Sequence, residues 1–170
     1  MSTDAVAFRT VPIPAQLAEA ARLERRSPQY GHPAHTELAA GYGPCRLCLD
    51  VFRVGEEERL LFTYDPFRGL DPYPAPGPIF VHAAGCTPYS APAGFPEPLR
   101  GLPLMLEGYA PGRWLVSRER VAGGDVEGAA ARLFAHQAVE YVHVRNAEAG
   151  CYVARLERVH SASEVASEAA

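Results

Sequence analysis

The residues able to do chemistry gather in three stretches. In "GPCRLCLD" (43–50), Cys45 and Cys48 stand at C-x-x-C spacing. In "VHAAGC" (81–86), His82 and Cys86 are separated by three residues. In "YVHVRNAEAGCY" (141–152), His143, Asn146 and Cys151 crowd around one loop. The first two stretches together offer Cys45, Cys48, His82 and Cys86 as a Cys3His metal set. Zinc is the candidate metal, because it takes thiolate and imidazole ligands tetrahedrally and C-x2-C is a usual half-site. An extended backbone opposes this reading, since it would send Cys45 and Cys48 to opposite sides. A tight turn would need a small residue after the second cysteine, and Leu49 is a poor one. The competing reading makes each cysteine a small buried hydrophobe.

The third stretch suggests thiol chemistry. A nearby imidazole can stabilise a thiolate and make it nucleophilic. Cys45 or Cys151 would be the thiolate, His143 the base or orienting group, and Asn146 a polar anchor. Arg46 would clamp an anion with its planar fork. A Cys–His–Asn set suits acyl transfer. Cysteine-hydrolase signatures, G-x-S-x-G and a Gly-rich phosphate loop are absent from the sequence. Asn146 and Gly150 are also what a hairpin turn recruits for left-handed backbone angles. A third function class is a binding module. Tyr64, Phe67, Tyr73, Tyr89 and Phe95 lie in or beside two Pro-rich loops and could form a recognition surface, or plug those loops onto the core. His32 and His35 could ligate with Glu37, His136 suits a helix end, and His160 adjoins the tail.

Strands and helices must position these groups. "AVAFRTV" (5–11) reads as a strand, and "PAQLAEAARLERR" (14–26) as a helix with Pro14 in its first turn. Residues 27–43 read as a connection. "CRLCLDVFRV" (45–54) alternates like a strand and pairs in a hairpin with "ERLLFTY" (58–64). "IFVHA" (79–83) is a short strand between loops too rich in proline for an inner strand. A hairpin follows over 102–121, then a helix over 126–136 capped by Asp125, with Val126, Ala129, Ala130 and Leu133 inward. A last hairpin covers 139–159. The expected fold is α+β, a mainly antiparallel sheet of about seven strands with two short helices. Residues 1–160 read as one domain and 161–170 as a frayed tail.

Of the 170 residues, 48% are hydrophobic and the formal net charge is −4. That composition supports a buried core. It lacks the positive surplus of a sequence-blind nucleic-acid binder. No apolar run reaches the ~20 residues of a membrane span, and no secretory signal is visible. The cytoplasm is the expected compartment, where four cysteines stay reduced.

"GPCRLCL", "GPIFVH" and "YVHVRNAEAGCYVARLERV" together resemble the bacterial Domain of Unknown Function 1203 family, over about residues 40–159. The resemblance implies no activity. It makes Pro44–Arg46, Gly77–Val81 and Gly150–Tyr152 the typical segments. It also implies that Cys48, His82 and Cys86 occur in only some members, so a metal site would belong to this branch.

Overall fold

The computed structural model describes residues 7–70 and 75–160. Two antiparallel sheets and two helices make up an α+β fold. The elements are β1 (Phe8–Val11), α1 (Ala15–Glu24), β2 (His35–Leu38), β3 (Glu58–Tyr64), β4 (Gly77–His82), β5 (Leu104–Ala110), β6 (Trp114–Arg120), α2 (Val126–Phe134), β7 (Tyr141–Asn146) and β8 (Tyr152–Arg158). Five strands form one sheet in the order β1-β8-β7-β5-β6, and three form the other in the order β2-β3-β4.

Alternation explains the larger sheet. Leu104 and Leu106 of β5, Val142 and Val144 of β7, and Ala154 and Leu156 of β8 face α2. From α2 they meet Val126, Ala129, Ala130, Leu133 and Phe134, which recur at helical spacing. Asp125 caps α2, its carboxylate accepting the Gly128 N–H at 2.9 Å. On the opposite face, Tyr109 and Tyr141 pack with Phe67 from the loop after β3.

The smaller sheet has its own core. Leu60, Phe62, Ile79 and Val81 meet Ala18 and Ala21 of α1 and, from the loop after β2, Cys45, Leu47 and Phe52. Helix α1 ends where Arg25 turns left-handed at φ 53° and returns its N–H to Ala21 O.

Three expectations need correcting. The segment 45–54 is not a strand; after Pro44 and Cys45 it turns over residues 46–48. It forms no hairpin with β3, which instead lies between β2 and β4. The 27–43 connection contains β2. The apolar alternation of "CRLCLDVF" has another origin. This loop is sandwiched between the two cores, with Leu47 in the smaller and Leu49 in the larger. The start of the first expected strand, Tyr73 and the 161–170 tail fall outside the described residues. Among the described residues, no helix is long and apolar enough to cross a membrane.

Candidate metal centre and adjoining cleft

The turn that defeats the strand is what brings Cys45 and Cys48 to one side. Pro44 and Val51 close it with an antiparallel bridge. Inside, the Cys45 N–H donates to Asp50 O at 2.9 Å and the Leu49 N–H to Cys45 O at 3.0 Å. Leu49 takes φ 55°, the left-handed conformation that this turn demands. Its side chain is 1% exposed, so burial offsets the backbone strain. Three neighbouring segments hold the turn. The Arg46 N–H donates to Phe80 O of β4, Arg46 O accepts the Ile13 N–H, and Leu47 O accepts the Tyr89 N–H.

His82 ends β4, and Cys86 follows in the next loop. One ligand atom from each of Cys45, Cys48, His82 and Cys86 lies within 4.8 Å of all the others. The Cys45 and Cys86 sulfurs are 3.8 Å apart, too far for a disulfide. Cys48 Sγ lies 3.5 Å from His82 Nδ1. A tetrahedral zinc with Zn–S about 2.3 Å and Zn–N about 2.0 Å sets S···S edges of about 3.8 Å and S···N edges of about 3.5 Å. Both distances match those edges.

Outer groups complete the arrangement. His82 Nε2 points at Glu57, 3.5 Å from its carboxylate. Glu57 in turn accepts the Arg53 N–H at 2.7 Å. A carboxylate on the far nitrogen fixes the ring's tautomer and raises its basicity toward a metal. Arg22 of α1 donates to Cys86 Sγ at 3.2 Å and to His82 O at 2.9 Å. The Phe52 ring leans on the imidazole, with centroids 4.6 Å apart.

The four groups shift one another's protonation, and Cys45 is the one pulled toward the thiolate. Hydrogen bonds from the Cys48 and Cys86 thiols hold its pKa far below the usual thiol range, helped by the Cys48 backbone N–H. Cys48 and Cys86 are pushed up, chiefly because each gives its proton toward Cys45. His82 is raised, first by its hydrogen bond with Cys45.

The residues considered for thiol catalysis divide. Cys45 belongs to the cluster just described. Arg46, Asn146 and Cys151 line a cleft of about 240 Å³ with Tyr42, Arg59 and Phe80. His143 lies elsewhere, 1% exposed, ringed by Phe67, Tyr109, Tyr141 and Tyr152 with centroids 4.8–5.2 Å away. Burial, then Arg145 and Arg155, drives its pKa down to about 2. Its Nδ1 has no hydrogen-bond partner. No hydrogen bond among the described residues joins it to a thiol. Asn146 serves the turn, its side-chain oxygen accepting the Glu148 and Ala149 N–H groups at 2.9 and 2.8 Å.

The aromatics of the Pro-rich loops mostly turn inward. Tyr64, Phe67 and Phe95 are buried, and Tyr89 packs against the larger core. His35 faces Glu37 at 3.5 Å, while His32 bonds Thr63. Sequence reasoning missed Arg22, Glu57, Tyr42 and Arg59. None carries a spacing signal, because each reaches its partner through the fold.

A family described as "Protein of unknown function (DUF1203)" matches residues 42–158. All four cluster residues lie inside the matched segment, and Arg22 lies before it. No curated protein and no solved structure matches the chain.

Proposed function

The chain belongs to the DUF1203 family, whose description carries no activity, and on that premise we propose a function from the site alone: the protein binds one structural zinc ion through Cys45, Cys48, His82 and Cys86. The observation that carries this reading is the convergence of four ligand atoms within 4.8 Å of one another, with one S···S edge of 3.8 Å and one S···N edge of 3.5 Å at tetrahedral length. Four protein ligands leave no open position, which marks a structural rather than a catalytic zinc. Three thiolates, a neutral imidazole and Zn²⁺ sum to −1. The Arg22 guanidinium beside Cys86 balances that charge. The ion would tie the turn after Pro44, the end of β4 and the loop at Cys86, with α1 held against them by Arg22. Ligation by pre-gathered groups adds binding free energy to folding.

The test is metal analysis of protein purified without added metal or affinity-tag nickel, with a melting scan before and after a strong chelator. One zinc per chain and a lower Tm after chelation are expected. Replacing Cys86 with Ser should cut the zinc content and the chelator effect together. Protein that is folded, metal-free and indifferent to both chelator and added zinc rules the reading out.

A further inference from the structure

The cleft beside the metal centre contains a charge that the fold does not match. Arg46 lies between the two cysteines of the turn, and only 3% of it is exposed. Two of its donors are used: Nε on Tyr152 O at 2.7 Å and Nη1 on Pro44 O at 2.5 Å. Both acceptors are neutral carbonyls, and Nη2 has no acceptor among the described residues. No carboxylate pairs with this guanidinium there either, while Arg59 beside it is paired with Glu37 at 2.6 Å. Burying an unpaired charge is costly, and such a group persists where a counter-ion visits. An arginine guanidinium is not deprotonated in proteins, so the charge remains at neutral pH. With the Cys45 thiolate bound in the proposed metal centre and Arg22 offsetting the surplus charge there, Arg46 is left unmatched.

The rest of the lining fits an anion. Arg59 lies with its guanidinium 3.8 Å from the centroid of the Phe80 ring. Gly43 makes room here, since a Cβ would come within 3.2 Å of the same ring. The Asn146 amide donates to Tyr42 Oη at 3.4 Å, and Tyr42 in turn donates to Glu148 on the rim at 2.9 Å. Glu148 and Glu37 are the acids near the cleft, one bonded to Tyr42 and one to Arg59. A volume of about 240 Å³ is below the roughly 300–1,000 Å³ of drug-sized pockets.

We propose that this cleft binds a small ligand through an oxyanion, a carboxylate or a phosphate group, which lies on the free edge of the Arg46 guanidinium between Arg59, Asn146 and Cys151. The planar fork of Arg46 suits bidentate contact with either group. The inference stands on the cleft and, for the unmatched charge of Arg46, rests on the proposed metal centre taking up the Cys45 thiolate.

Cys151, half-buried in the lining, is a built-in reporter. The experiment compares an anionic and a cationic methanethiosulfonate reagent on the full chain, with modification mapped to Cys151 by peptide mass spectrometry. Relative to free cysteine, the anionic reagent should gain about tenfold or more over the cationic one, as charge-lined clefts do for their ligands. Inorganic phosphate, sulfate or malonate at millimolar levels should slow labelling. Protection by phosphate and sulfate alone assigns a phosphate group, and protection by malonate alone assigns a carboxylate. Arg46→Gln should abolish both the preference and the protection. Where that variant fails to fold, Ala149→Trp, which fills the cleft and leaves the guanidinium, should abolish protection. Equal relative rates for the two reagents, with no protection by any of the three anions, overturn the proposal. Because the readout is Cys151 and not zinc content, its failure is distinct from failure of the metal centre.

Discussion

Replacing Leu49 tests whether burial or backbone strain governs the turn that carries two of the four ligands. The residue has a left-handed φ of 55°, which costs a non-glycine residue roughly 1–2 kcal/mol. It is also 1% exposed in the larger core, the cluster that holds Phe95, Leu99 and Leu104. Leu→Ala at such a site costs about 2–5 kcal/mol, and the Ala variant keeps the φ penalty. Leu49→Gly loses the same packing but relieves the strain, so it should recover about 1 kcal/mol relative to Ala. The expected order of stability is wild type, then Leu49→Gly, then Leu49→Ala, with Gly about 1–4 kcal/mol below wild type. Urea denaturation of the zinc-saturated proteins measures this, and metal analysis should find zinc content unchanged in all three. If Leu49→Gly proved more stable than wild type, the offset by burial would be wrong. If Ala matched Gly, the turn would carry no left-handed strain.

Other consequences can be checked alongside. Glu57→Gln removes the carboxylate behind His82 and should weaken zinc binding about 10–100-fold, read by competition with a chromophoric chelator. His143 makes stability depend on pH. Its folded pKa of about 2 lies below the unfolded value of about 6.5, so between them the unfolded chain holds the extra proton and stability falls as pH drops. From pH 8 to pH 5 the wild type should lose about 2 kcal/mol more than His143→Phe does. Parallel slopes for the two would mean that the ring is not buried neutral. Asp125→Ala removes the α2 cap and should cost about 1 kcal/mol in the same denaturation assay, with no change in zinc content.

Periodicity made most of the fold legible. Helix α2 and its cap read directly from Asp125 and the Val126, Ala129, Ala130, Leu133 spacing, because one helix face meets one sheet. Strand β3 reads from "ERLLFTY" end to end. The "CRLCLDVF" segment misled because its apolar residues are buried in two directions, one set in each core, which mimics the alternation of a strand. Leu49 hid the turn, since sequence rules assign a left-handed position to glycine and cannot see a core offsetting the strain. The four cluster residues were nameable from type and spacing, but their convergence depended on that turn. Of the thiol-chemistry set, Arg46, Asn146 and Cys151 meet in one cleft. His143 does not join them, because β7 alternation points it at the aromatic face. Arg22 and Glu57 were invisible because their roles arise only when distant segments dock.

X-ray absorption at the zinc edge tests the central claim most directly. Three sulfur neighbours at about 2.3 Å and one nitrogen at about 2.0 Å are expected from the folded protein. A shell of oxygen and nitrogen alone, with the three thiols still free to alkylation, would contradict it.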